Sequence, residues 1–173
     1  MPCAVGNRAK KENAVVAADA LASTPFFTDF PSEAHELLSP LAFRKTYGAG
    51  DVIFRQDDPA TVIGVFIKGL ISFRARLADG EVSITIGHAR HPGDVFGWSS
   101  VIGTAHTYTH TAVCIEKSEV IEIDGPGLLQ VCREHPRIGV PMLEKLSAVI
   151  SERLASTRAQ VGHRIRRGLI SHG

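Results

Sequence analysis

A run of small and polar residues near the middle of the chain, at 91–100, contains groups that are suited to binding an anion. Pro92 and Gly93 mark a turn, because proline fixes its own φ and glycine accepts positive φ. Gly97 permits a close approach that a side chain would block. A short helix beginning near Ser99 would direct free backbone N–H groups at a phosphate-like group.

A second polar segment follows at residues 107–112, where hydroxyl-bearing residues alternate with other types at strand spacing. One face of such a strand carries Tyr108 and His110, and the other carries Thr109 and Thr111. A glycine-rich turn facing a strand is suited to holding a phosphorylated ligand. The predicted ligand-binding residues are Phe96, Gly97, Trp98, Ser99, Ser100, Tyr108, Thr109 and His110.

The elements that position these residues are short strands followed by helices. Between residues 42 and 124, β-rich runs alternate with turn signals, and Asp79-Gly80 favours a type I′ hairpin. The predicted strands are 52–54, 62–68, 71–77, 82–88, 107–116 and 120–123, and the predicted helices are 14–22, 32–38, 128–132 and 138–165. Ser32 is the predicted N-cap of the second helix. This order predicts an α+β fold, an antiparallel, jelly-roll-like β-roll with an N-terminal helix and C-terminal helices, the last one long.

The residues of the predicted roll resemble the cyclic-nucleotide-binding domain family. The similarity lies in DVIFRQDDP at 51–59, FIKG at 66–69, the glycine-acid-apolar-apolar-glycine order at 93–97, and EVIEID at 119–124. It covers about residues 24–160, with the roll at about 42–124 and the C-terminal helices at about 125–165. Residues 1–23 then form an N-terminal extension and residues 161–173 a basic tail. The resemblance implies a regulatory domain that signals by rearranging its helices.

Two positions depart from the pattern of the nucleotide-binding members. Trp98 stands where the family has a glutamate that binds the ribose, and Tyr108 stands where it has an arginine that pairs with the cyclic phosphate. Arginine gives two charge-assisted hydrogen bonds to a phosphate, whereas tyrosine gives one neutral hydroxyl. The usual contacts to cyclic AMP or cyclic GMP are therefore altered. The expected ligand is a cyclic nucleotide or another small planar or anionic molecule, and no further cofactor is predicted.

Composition excludes several other classes of protein. The 173 residues carry a net charge of +1, which gives no reason to expect nucleic acid or a membrane surface as the main partner. Cys3, Cys114 and Cys132 form no C-x-x-C pair, so we predict reduced thiols, a cytoplasmic location and no metal site. No apolar run is long enough to span a membrane. No catalytic motif is found, so we predict that the chain is not an enzyme.

The long C-terminal helix predicts a homodimer. Its apolar positions, which include Leu143, Leu146, Ile150 and Leu154, recur at helical spacing and exceed what a small roll covers. In the family's bacterial regulators the equivalent helix forms the dimer. Too few residues follow the basic cluster at 163–167 for a helix-turn-helix, so we expect no DNA contact through that motif.

Three alternatives stay open at the level of sequence. In the first, Trp98 fills the pocket and the chain acts as a ligand-free dimerising interaction module. In the second, the chain is a metal or haem sensor that uses His88, His91, His106 and His110. In the third, ordinary cyclic nucleotides bind weakly through backbone N–H groups of the loop.

Overall fold

The computed structural model describes residues 14–76, 83–103 and 106–170, with the backbone alone for 14 and 160–170. Its strands are β1 (Ala14–Val15), β2 (Ala42–Tyr47), β3 (Val52–Phe54), β4 (Val62–Lys68), β5 (Ile71–Arg76), β6 (Ser83–Ala89), β7 (Val95–Phe96), β8 (Thr111–Cys114) and β9 (Ser118–Asp124). They form two antiparallel sheets with the orders β1-β2-β9-β4-β7 and β3-β8-β5-β6. The helices are α1 (Ala18–Ala22), α2 (Ser32–Leu38), α3 (Gly125–Glu134) and α4 (Pro136–Ile170), with 3₁₀ turns at Ser39–Leu41 and Trp98–Ser100. The predicted β-roll with helices at both ends is confirmed.

Several predicted boundaries are wrong, and tertiary pairing explains why. Ala14 and Val15 pair with β2, so the helix predicted over 14–22 begins only at Ala18. The strand predicted over 107–116 is regular only at Thr111–Cys114, because the backbone of Tyr108 bonds instead to Asp57 and Asp58. Strands β2 and β7 were not among the predicted strands.

The predicted Asp79-Gly80 hairpin lies outside the described residues, although β5 and β6 on either side of it pair up to Arg76 and Ser83. Ser32 is the first residue of α2 and Pro31 occupies the N-cap position, without a side-chain hydrogen bond. Proline suits this position because its φ is already fixed and the N-cap N–H is not needed by the helix.

Strand β9 separates two apolar cores by the alternation of its side chains. Val120 faces the interior of the roll, between the two sheets, whereas Ile121 and Ile123 face the helices. The helix-side core is closed by Phe27 from the N-terminal segment and Leu146 from α4. The first sheet is therefore buried on both faces, between the helices and the second sheet.

A buried carboxylate also lies within the roll. Glu122 is almost fully buried. The Tyr47 hydroxyl donates a hydrogen bond to its carboxylate, and Lys45 Nζ lies 2.6 Å from its Oε2. Burial and the neighbouring Glu122 charge raise the pKa of Tyr47 well above its usual range. The ion pair and the hydrogen bond offset the free-energy cost of removing the Glu122 carboxylate from water.

Helix α4 presents different faces to the protein and to solvent. Met142 and Leu146 are fully buried, whereas Val140, Leu143 and Leu154 are exposed. Leu146, predicted as a dimer contact, therefore packs in this chain's own core, since it lies on the face that α4 turns toward the roll. No helix in the described ranges combines the length and apolar character needed to cross a bilayer.

Candidate functional site

The loop at residues 90–97 is held by hydrogen bonds between the Asp94 side chain and the backbone of the same loop. The Asp94 carboxylate accepts hydrogen bonds from the backbone N–H groups of Arg90 and His91, both at 2.9 Å. Gly93 has φ 93°, which completes the turn before β7. Asp94 therefore fixes the turn, and its carboxylate is already engaged.

The next turn begins at Gly97 and contains Trp98. Gly97 has φ 75°, and a Cβ at this position would lie 2.9 Å from the Val62 carbonyl oxygen, so glycine is required. The following 3₁₀ turn leaves Trp98 and Ser99 half-buried, while the buried Ser100 donates its hydroxyl to the Gly97 carbonyl at 3.0 Å. The Ser100 hydroxyl thus has a structural role within the loop.

Tyr108 is part of the roll interior, with its hydroxyl fully engaged. Its ring stacks on Phe54 with a centroid distance of 3.8 Å, and Phe54 also contacts Phe96. The hydroxyl accepts from the N–H groups of Thr61 and Val62 at 3.2 and 3.1 Å and donates to the Val62 carbonyl at 3.1 Å. Tyr108 and Phe96 therefore shape the wall of the roll and leave no free polar group for a ligand.

His110 is a buried imidazole with one unsatisfied nitrogen. It is 5% exposed, its Nδ1 shares a hydrogen bond with the Thr109 hydroxyl at 3.3 Å, and its Nε2 has no hydrogen-bond partner among the described residues. Its ring lies 5.0 Å from Phe73 and 6.3 Å from Trp98 between centroids. Burial, with the Arg153 charge adding to it, lowers the pKa of His110 to about 4, so the imidazole is neutral near pH 7.

The structure adds Arg153, which sequence reasoning missed. This α4 residue places its guanidinium carbon 4.8 Å from the Phe73 ring centroid and 5.7 Å from that of Trp98. Gly87 in β6 makes room for it, since a Cβ at Gly87 would lie 3.2 Å from an Arg153 terminal nitrogen. Arg153 follows Leu146 and Val149 on the inward face of α4, and that helical spacing is the signal that could have revealed it.

A cavity opens beside Arg153, between β6, the 90–95 loop and α4. Its volume is about 320 Å³, which is near the lower end of the range for small-molecule sites. Residues that line it include Gly87, His88, Arg90, Asp94, Glu152 and Arg153. We call this cavity, together with the Trp98, His110 and Arg153 cluster next to it, the roll mouth. Burial, with the Arg90 and Arg153 charges adding to it, lowers the pKa of His88.

The predicted site residues separate into two groups. Trp98 and His110 lie together at the roll mouth, and Gly97 and Ser99 flank Trp98 in the loop. Phe96, Tyr108 and Ser100 are buried, and Thr109 is exposed at the edge. Tyr108 stacks on Phe54 within the roll, whereas Trp98 lies beside His110 and Arg153.

The histidine cluster does not form a metal centre in the described structure. Across the described residues, no three His, Cys, Asp or Glu side chains come close enough to hold a metal ion. His91 lies in the exposed turn, 3.7 Å from an Asp94 oxygen, whereas His110 is inside the roll.

Comparisons with solved structures bear on the fold alone, since every match below shares less than a quarter of its residues. A proposed cyclic nucleotide-binding protein from Geobacter metallireducens matches with a TM-score of 0.69 and 22% identity, over 80% of this chain and 98% of that one. A cyclic nucleotide-binding domain from Methylobacillus flagellatus gives a TM-score of 0.69 and 15% identity, over 86% and 82%. The regulatory domain of Toxoplasma gondii PKA, solved with cAMP, gives a TM-score of 0.63 and 15% identity, over 79% of this chain and 49% of that one.

Sequence comparison identifies the family. A search of curated proteins finds no similar sequence. The family model described as "Cyclic nucleotide-binding domain" matches residues 44–135, from within β2 to the end of α3. Since that match covers more than half of the chain and includes strands β3 to β9, the chain belongs to the cyclic nucleotide-binding domain family.

Proposed function

We propose that this chain is a regulatory domain whose small-molecule ligand binds at the roll mouth and whose occupancy is signalled through α4. The observation that carries the proposal is that α4 forms one wall of the cavity and extends Arg153 to the rings of Phe73 and Trp98. A ligand there contacts the roll and α4 together, so it favours one packing of α4 over another. Thr157 of α4 also donates its hydroxyl to the Ile86 carbonyl of β6, at 3.3 Å, a contact that such a shift would alter.

A thermal-shift series with a cavity-filling variant tests the ligand site. Cyclic AMP or cyclic GMP at about 100 times its Kd should stabilise the protein by about 2.7 kcal/mol, which raises Tm by about 5–10 °C. Ser156 lies on the cavity rim with an exposed side chain, so Ser156→Trp should abolish the shift without unfolding the domain. Ser151→Trp, at an exposed α4 position away from the cavity, is the matched control and should keep the shift.

A second readout follows the signal rather than the binding. Trp98 is the single tryptophan of the chain, so its fluorescence reports directly on the roll mouth. Hydrogen exchange of the α4 backbone around residues 149–157 should slow when ligand binds. Equal shifts in wild type and Ser156→Trp would place the ligand elsewhere, and unchanged exchange in α4 despite binding would refute signalling through the helix.

The exposed face of α4 favours a homodimer as the functional unit. Val140 and Leu154 are 56% and 53% exposed, and with Leu143 and Ile150 they follow the spacing of a coiled-coil seam. Leu154→Glu should shift the mass measured by light scattering at micromolar concentration from dimer to monomer. Ile115→Glu, which alters another exposed apolar residue away from α4, should leave the mass unchanged. A wild-type monomer would contradict the proposal.

Cyclic nucleotides are the first probes because the chain belongs to the cyclic nucleotide-binding domain family. The competing function is that of a dimerising interaction module that binds no small molecule. The proposal includes no catalytic activity. The cytoplasmic location predicted from the cysteine content stays a prediction.

A further inference from the structure

Arg153 lines the cavity without forming a direct ion pair in the described structure. The Arg153 side chain is partly buried, and the described part of the chain supplies neither an ion pair nor a hydrogen bond to its guanidinium. Asp94, the nearby loop carboxylate, accepts from two backbone N–H groups and forms no ion pair with it. Burial lowers the pKa of Arg153, and the charges of Asp94 and Glu152 act in the opposite direction. A cation removed from water is costly unless an anion accompanies it.

A second unsatisfied group lies beside the same two rings. His110 is buried, and its Nε2 lacks a partner among the described residues. Its ring and the Arg153 guanidinium both contact Phe73 and Trp98. A neutral imidazole and a guanidinium that lie against the same two rings are complementary to an oxyanion, which accepts charge-assisted hydrogen bonds from the guanidinium and one more from an imidazole N–H.

Arg90 of the 90–95 loop also lines the cavity, but the guanidinium that lies over the rings of Phe73 and Trp98 is that of Arg153. Tyr108 has its hydroxyl engaged by the backbone of Thr61 and Val62. We infer that Arg153, contributed by α4, is the anion-binding residue of the roll mouth, and that the ligand is a small molecule with a phosphate or carboxylate group on a flat ring. The guanidinium binds the oxyanion, His110 Nε2 adds a hydrogen bond, and the face of Trp98 packs on the ring. This inference rests on the proposed function, because it names the ligand class and the anchoring residue of the same site.

The location of this cation has a consequence for signalling. An anchor on a roll strand would leave α4 free when ligand binds, whereas an anchor on α4 attaches the ligand directly to the moving element. The binding energy of the anion is then available to hold α4 against β6.

The test pairs charged and neutral probes with charge variants. Cyclic AMP is compared with adenosine, and benzoate with benzyl alcohol, by thermal shift and Trp98 fluorescence. The anionic member of a pair should stabilise the wild type, and its neutral partner should not. A response to cyclic AMP identifies phosphate as the anion, and a response to benzoate identifies carboxylate. Arg153→Gln should weaken anion binding by about 10- to 100-fold, the loss expected for a charge-assisted contact.

Two further variants provide the controls. Arg158→Gln removes an exposed α4 charge and should leave the affinity unchanged, so it separates the local contact from a general loss of positive charge. Arg153→Lys keeps the charge but loses the two-pronged guanidinium, and should give an intermediate affinity. Circular dichroism confirms that each variant is folded.

The outcomes separate this inference from the proposed function. Anion binding that is as tight in Arg153→Gln as in wild type, and still blocked by Ser156→Trp, would keep the site and overturn the role of Arg153. Equal stabilisation by charged and neutral probes would likewise overturn the anionic class alone. A wild type that no probe stabilises would refute both the proposed function and this inference.

Discussion

A Gly139→Ala variant is expected to unfold with a free energy about 3 kcal/mol lower than that of the wild type, because overpacking here meets backbone and not a movable side chain. Gly139 lies in the first turns of α4, where a Cβ would be 2.8 Å from the Cys132 carbonyl carbon and 2.9 Å from its Cα in α3. In an open helix the same change would stabilise, since alanine is the better helix former. The contact between α3 and α4 therefore makes the substitution destabilising.

The consequence extends beyond stability, because this joint connects the roll to α4. Ile138 and Met142 on either side of Gly139 are fully buried in the helix-side core, so a displaced α4 also moves Arg153 away from the roll mouth. Gly48→Ala is the control. Gly48 is exposed, and a Cβ there would lie 3.7 Å from the nearest Asp51 oxygen. The free energy of unfolding of this variant should differ from that of the wild type by less than about 1 kcal/mol. Urea denaturation measures both. A Gly139→Ala protein as stable as Gly48→Ala would show that the helices are not packed this closely.

Acid should destabilise the folded protein through His110. The imidazole has a pKa of about 4 when folded, against 6.5 for the unfolded group, so between these values the unfolded chain takes up a proton that the folded chain does not. The stability is therefore complete above about pH 6.5 and decreases as the pH falls toward 4. The loss reaches about 3 kcal/mol by about pH 4, since each unit of pKa difference is worth about 1.4 kcal/mol. Two causes act together: the apolar surroundings of Phe54 and Phe73, and the Arg153 cation, while no described carboxylate contacts the ring.

His110→Phe isolates this contribution. Its ring suits the aromatic surroundings, so the difference in unfolding free energy between wild type and variant should change by about 3 kcal/mol between about pH 7 and about pH 4. His91→Gln removes an exposed histidine and should follow the wild-type curve. Parallel pH profiles for wild type and His110→Phe would mean that His110 titrates normally in the folded state. Arg153→Gln should reduce the acid sensitivity, because it removes the second cause.

Local patterns predicted much of the fold from sequence. Turn signals and strand-length apolar runs located β3, β4 and most of β5, β6 and β9, because side-chain alternation and turn chemistry act over a few residues. Helices α2, α3 and α4 followed from helical periodicity for the same reason. The strand at Ala14–Val15 and the irregular course at Tyr108 could not be predicted this way, since their hydrogen-bond partners are distant in sequence.

The candidate site shows the same division between local and distant causes. The amino-acid sequence alone predicted the turn at Gly93 with its positive φ, the close approach at Gly97, and the departures from the family pattern at Trp98 and Tyr108. The tertiary structure decided that Tyr108 uses its hydroxyl on the backbone of Val62, that Leu146 is core, and that Arg153 reaches the roll mouth. A residue's type limits the chemistry available to it, but its neighbours decide which chemistry remains free. Those neighbours come from α4 and the opposite sheet, which only folding brings together.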